Sequence, residues 1–151
     1  MQTKDNANFF IVLVKGWVEK DDEFLLARRG PKELHMPGAW SLPGGKVELE
    51  IKPNILEQTL IKEIQEEVGV TVSEHMELVH NNSFKRSDGA VVIGLTFLCR
   101  YVSGTAAPME DTTEVAWHTL EELNRLAGIE DFLKKEIKIL VAYKSKQPAY
   151  E

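Results

Sequence analysis

The stretch from Pro53 to Val70 limits the fold of this chain more than any other. Leu56, Leu60 and Ile64 recur every fourth residue, with Ile61 and Val68 beside them, so a helix here has one apolar stripe to bury. Asn54 after Pro53, with Glu57 three positions on, reads as an N-cap and capping box, and Gly69 reads as the stop. The predicted helix therefore runs from about Asn54 to Val68, leaving Val47 to Lys52 as a connecting loop or strand extension. On it, Glu63, Glu66 and Glu67 stand at i, i+3 and i+4, which at about 100° per residue places them on one face. Three like charges that close repel unless a cation sits among them. An all-oxygen set suits a hard divalent cation, and Mg²⁺ commonly brings a phosphate-bearing substrate with it. Glu is also a good helix former, so Glu-x-x-Glu-Glu on its own is ordinarily a solvated face.

The flanking residues change that reading. The helix is preceded by Pro37-Gly38-Ala39-Trp40-Ser41-Leu42-Pro43-Gly44-Gly45 and followed, late in the chain, by Trp117-His118-Thr119-Leu120-Glu121-Glu122-Leu123. Together these segments resemble the Nudix (MutT-like) hydrolases. The signature of that family runs Gly, five residues, Glu, seven residues, then Arg-Glu-aliphatic-x-Glu-Glu-x-Gly-aliphatic. Gly45 matches its opening, and Glu63, Ile64, Glu66, Glu67, Gly69 and Val70 match its closing half position by position. The motif is degenerate in two respects. Sixteen residues separate Gly45 from Lys62 where the pattern allows thirteen, so three are extra and the first Glu is missing. Counted back from Lys62 its place falls on Asn54, and counted forward from Gly45 it falls on Ile51; neither Glu48 nor Glu50 fits the spacing. Lys62 also replaces the Arg, which keeps the charge and loses the planar two-pronged donor. The extra residues fall in a connection, where insertions cost little.

The resemblance implies an α/β fold, a Nudix-type α/β/α sandwich with a mixed β-sheet between helices, over a single domain spanning residues 1–151. It implies metal-dependent hydrolysis of a diphosphate bond in a nucleoside diphosphate linked to another group, with a (deoxy)nucleoside triphosphate first among the candidates. The family likeness assigns metal binding to Gly45, Glu63, Glu66 and Glu67, with Mg²⁺ or Mn²⁺ as the ion. It assigns catalytic roles to Glu63, Glu66 and Lys62 and leaves open which carboxylate takes the proton. Some members of the family have lost catalysis and act as nucleotide or sugar-nucleotide sensors. The missing first Glu and the Lys62 exchange fit such a module, and the three intact carboxylates speak against it.

Further residues carry weaker signals. Arg28 and Arg29 end a predicted strand, so alternation turns one of them toward the face that would take a phosphate, without saying which. Phe84, with Asn82 and Arg86, lies near a strand end from which it can stack on a base. Glu110, Asp111 and Glu114 lie in or just after the loop before Trp117, where the family often adds an acidic ligand; a solvated acid is the plainer reading of each. Arg28, Arg29, Phe84 and Glu114 are thus the substrate-binding candidates. The four histidines lack zinc spacing.

The remaining strands and helices are read more coarsely. Phe9 to Val18 and Glu23 to Arg29 are predicted strands about an Asp21-Asp22 turn, and Val70 to Phe84 is one strand or two before a turn at Ser87-Asp88-Gly89. Ala90 to Val102 is apolar enough for a central strand covered on both faces. Ser103 to Thr113 reads as a loop, Val115 to Trp117 as a short strand, Thr119 as the cap of a second helix and Asp131 to Tyr143 as a third. The net charge of −6 argues against a nucleic-acid polymer as partner and leaves a small nucleotide. The single cysteine, Cys99, permits no intrachain disulfide and reads as a core residue. No stretch approaches the ~20 apolar residues of a membrane span, so a cytoplasmic protein without a membrane partner is expected. A homodimer is compatible with the sequence and not required by it.

Overall fold

The computed structural model describes residues 9–146. Seven strands occur in chain order as β1 (Ile11–Lys20), β2 (Glu23–Arg29), β3 (Trp40–Ser41), β4 (Gly44–Lys46), β5 (Thr71–Lys85), β6 (Val91–Ser103) and β7 (Thr112–Thr119). Helix α1 (Ile55–Val68) lies between β4 and β5, while α2 (Leu120–Asn124) and α3 (Asp131–Lys146) follow β7. The strands join one sheet in the order β3-β2-β1-β6-β5, with β4 beside β1 and β7 beside β2. The central β1–β6 pair is parallel, from Ile11 opposite Val92 to Glu19 opposite Arg100. The other pairings are antiparallel, so the sheet is mixed.

Alternation along the strands sorts the apolar residues between two helical layers. Val14, Val18, Leu25, Ala27, Phe97 and Cys99 pack against Leu60, Ile64 and Val68 of α1. Their neighbours Trp17, Phe24, Leu26 and Leu98 face the other way, against Leu123 of α2 and Leu133, Ile137 and Leu140 of α3. This is the expected helix–sheet–helix sandwich. Gly16 lets α1 lie directly on β1, since a Cβ there would stand 3.2 Å from Ile64 Cδ1 and 2.9 Å from Cys99 Sγ. Cys99 is buried and burial pushes its thiol up to about 12, which makes it core and no nucleophile.

Several boundaries differ from the sequence reading. Asn54 does precede α1, but it is left-handed (φ 55°, ψ 38°) and its side chain makes no capping bond, so the box with Glu57 does not form. A side-chain cap requires an extended residue at that position, and Asn tolerates the left-handed region better than most. The helix therefore opens at Ile55, with the Gln58 N–H donating to Asn54 O at 2.9 Å. The insertion does fall in the connection before it. Gly69 closes α1 as expected, at φ 72°, with its N–H donating to Gln65 O at 3.0 Å. The capping box at Thr119 and Glu122 forms in full, on a helix of five residues. Strand β5 is one long strand with shifts in register, β7 begins at Thr112 within the predicted loop, and α3 runs on to Lys146.

Candidate active site

Helical periodicity decides how deep the acidic residues of α1 sit. Glu63 follows Leu56 by seven residues and Glu67 follows Leu60 by seven, a net turn of only about 20°. Both carboxylates therefore rise from the shoulder of the buried stripe rather than from the solvent face. Strand β4 runs beside them, paired with β1 through Val14 opposite Gly45 and Lys15 opposite Gly44. A Cβ on Gly45 would stand 2.5 Å from the Glu63 carboxyl carbon and 2.7 Å from its Oε2. The Gly44 N–H donates to Glu67 Oε2 at 3.4 Å, and a Cβ on Gly44 would overlap the Val14 carbonyl oxygen. The two glycines are needed for different reasons: Gly45 for space beside a carboxylate, Gly44 for packing against a backbone.

The loop between β6 and β7 closes the other side. Ala107 and Met109 donate their N–H groups to Val68 O and Glu67 O, both at 3.0 Å, and so take up carbonyls left open at the end of α1. Glu110 follows directly, with φ 51°. Its charge reaches Glu63, whose carboxyl is held above the usual range by burial first, then by Glu66 and Glu110, against Lys62, with Glu48 adding to the rise. Glu67 is pushed up to about 8 by burial and then by Glu63, with the Gly44 N–H and Arg29 opposing and Glu33 adding slightly. Lys62 Nζ lies 3.7 Å from Glu66 Oε1, a loose and largely exposed pair.

Lys62, Glu63, Glu66, Glu67 and Gly45 thus come together, as the sequence led one to expect. Of the arginines, Arg29 is on this side: its charge acts on Glu67, its Nε donates to His35 O at 2.8 Å, and its Nη2 lies 3.4 Å from Glu33. Arg28 pairs across the β2–β7 ladder with Glu114 at 2.9 Å, so these two residues hold each other. Phe84 lies on β5, opposite Val92 of β6 and away from α1. Two acids that motif spacing could not assign, Glu48 and Glu110, also act on Glu63. Glu50 is occupied 3.2 Å from Lys52. Loop residues follow no period, so only the sequence neighbourhood of Gly45 and Trp117 could have hinted at them.

Among the described residues, no group of three or more His, Cys, Asp or Glu side chains stands close enough to hold a metal ion. The donor set nevertheless fits a hard cation. Burial and like charge hold the Glu63 and Glu67 carboxyls above the usual range, glycine keeps the space beside Glu63 open, and every nearby acid contributes oxygen. Chemically, the site can take up a divalent cation with loss of protons and can position an anionic group beside Arg29.

A family model described as NUDIX domain matches residues 11–138. An ADP-ribose pyrophosphatase of Methanocaldococcus jannaschii is 31% identical over 116 residues, covering 77% of this chain and 66% of that protein. An 8-oxo-dGTP diphosphatase of Proteus vulgaris is 41% identical over 56 residues, covering 37% of this chain and 46% of that protein. The chain thus spans about two thirds or less of the length of these relatives. A MutT protein structure from Methanosarcina mazei superposes with a TM-score of 0.74 at 22% identity, over 93% of this chain and 99% of that one, and so shares the fold.

Proposed function

The chain belongs to the NUDIX family, a family of pyrophosphohydrolases, and from that premise we propose that it hydrolyses the diphosphate of a small nucleotide with a divalent cation bound on α1. The observation that carries this reading is the pairing of Glu63 and Glu67, two partly buried carboxyls raised by burial and by like charge beside a side-chain-free Gly45. Mg²⁺ or Mn²⁺ held there would supply charge neutralisation for the diphosphate and an acidified water. Glu63, Glu66 and Glu67, with the Gly45 backbone, are the residues that would hold it. Glu48 and Glu110 stand by as further oxygen donors, Glu48 supplying in space what the motif lacks at Asn54. Arg29 would position a phosphate oxygen, and Lys62 would orient Glu66. Glu63 and Glu66 are the two candidates for accepting the proton from water. Such chemistry asks for position and charge more than for covalent participation.

For the substrate we favour a (deoxy)nucleoside triphosphate, the class to which the substrate named for the Proteus relative belongs, with ADP-ribose as the competing class. None of the described helices is long and apolar enough to cross a membrane, and we place the protein in the cytoplasm as one domain. The test is hydrolysis of a panel holding the four dNTPs, 8-oxo-dGTP and ADP-ribose, with and without Mg²⁺, with products separated by anion exchange. A nucleoside monophosphate with pyrophosphate, formed only with metal, is the expected result for a triphosphate. AMP with ribose phosphate as the main products would move the substrate to the other class.

A further inference from the structure

Three loops surround the Glu63–Glu67 pair, and two of them are tied down. Residues 30–39 and 104–111 are joined by the Gly30 N–H, which donates to Asp111 O. The first also folds back on β2, with the Gly38 N–H donating to Arg29 O at 3.0 Å and the Arg29 N–H to Ala39 O at 2.8 Å. The second holds the end of α1 through Ala107 and Met109. The third loop, residues 47–54, is fastened at its ends, where the Val47 N–H donates to Val12 O at 2.8 Å and Asn54 O accepts from Gln58. Between those ends, residues 48–51 make no backbone hydrogen bond to any described residue, and the Glu50–Lys52 ion pair stays within the loop. This is where the three extra residues of the motif fall.

The side chains of that loop are held by as little. Leu49 is 104% exposed and Ile51 106%, so two large aliphatic groups stand in water. Single exposed apolar residues are ordinary, but here every one of the three loops carries its own. On the tied loops Leu34, Met36 and Met109 are exposed as well. Their placement follows the acids: Leu34 comes after Glu33, Met109 before Glu110 and Leu49 after Glu48. Glu33 acts on Glu67, while Glu48 and Glu110 act on Glu63. Each acid that looks in on the pair therefore has an apolar neighbour that must move when it moves.

We propose that residues 48–53 are a flap that closes over the Glu63–Glu67 pair when a divalent cation binds there, setting Leu49 and Ile51 against Leu34, Met36 and Met109. The proposal rests on the metal-binding part of the reading above. Without a cation Glu48 and Glu63 repel, which holds the flap off. With a cation between them that repulsion becomes attraction, and Glu48 moves in as an oxygen ligand. Leu49, one residue along, is drawn with it. Six residues span about 20 Å when extended, so a flap anchored at both ends reaches about 10 Å over the carboxylates. Apolar surface leaving water then keeps the flap shut and keeps bulk water from a bound diphosphate.

Cysteine labelling tests this without following hydrolysis. The single native cysteine, Cys99, is buried, so Ile51→Cys supplies one accessible thiol. Mg²⁺ is the probe ion, because a hard cation leaves a thiol alone. Iodoacetamide should modify Ile51→Cys about tenfold or more slowly once calorimetry shows Mg²⁺ bound to saturation, as for a flap closed nine-tenths of the time. Lys138→Cys, at an exposed position of α3, should react at one rate with and without Mg²⁺. Adding Glu48→Gln to Ile51→Cys should remove the protection. An unchanged rate at saturating Mg²⁺, or protection that survives Glu48→Gln, overturns the flap, and Mg²⁺-dependent turnover in the same protein would leave the hydrolytic reading standing. Absence of Mg²⁺ binding overturns both together. Protection without turnover on any nucleotide would keep the flap and sink the enzyme.

Discussion

Gly45 and Glu63 are matched so closely that a single methyl on the glycine would stand 2.5 Å from the glutamate's carboxyl carbon. The far end of Glu63 is flexible, so Gly45→Ala should fold with little loss of stability while driving the carboxylate from its place. We expect its metal affinity to fall about tenfold or more, since ligand placement is what the site supplies. Gly44→Ala makes the contrast. Its Cβ would meet the Val14 carbonyl of β1, a backbone that cannot step aside, so melting temperature should fall sharply. Thermal denaturation and Mn²⁺ titration of the two variants separate the effects.

The carboxyl of Glu67, at about 8, gives metal-free stability a definite pH dependence. Between its unfolded value near 4.5 and about 8 the folded protein holds a proton that the unfolded chain has released. Stability is therefore complete below about 4.5 and is lost as pH rises toward and through about 8. Melting temperature in EDTA should fall across pH 6 to 8.5 in the wild type and fall less in Glu67→Gln. With Mg²⁺ the trend should weaken or reverse, because metal uptake releases the proton and strengthens as pH rises.

The neighbouring arginines should behave unequally. Arg28 pairs with an exposed Glu114, so Arg28→Ala should change stability by no more than about 1 kcal/mol and leave turnover within about twofold. Arg29 acts on Glu67 and ties down the loop through His35 O. Arg29→Ala should lower kcat/KM by about tenfold or more, which steady-state kinetics on the preferred nucleotide would reveal.

The fold was largely legible because its periods were. The four-residue spacing of Leu56, Leu60 and Ile64 names the face that α1 buries, and the apolar run of β6 names a strand covered on both sides. The carboxylate set was legible from the same periodicity together with Gly45. Asn54 was misread because residue type prescribes a cap only when the backbone is extended, and the preceding loop sets it left-handed. Glu48 and Glu110 reach Glu63 from loops, whose courses depend on tertiary contacts such as those of Ala107 and Met109 with the end of α1. The burial of Glu136 on α3 was hidden for another reason. A charged residue on an amphipathic helix reads as solvated, and nothing local announces that Lys15 and Thr96 will meet it inside.

The most direct test of the central claim is nucleotide hydrolysis by Glu67→Gln beside the wild type, with Mg²⁺, following release of phosphate and pyrophosphate. The account predicts metal-dependent turnover in the wild type and a loss of about a hundredfold or more in a variant that remains folded. Undiminished turnover in Glu67→Gln, or none in the wild type on any diphosphate compound while nucleotides still bind tightly, would contradict it; the second outcome would mark a sensor built on a hydrolase fold.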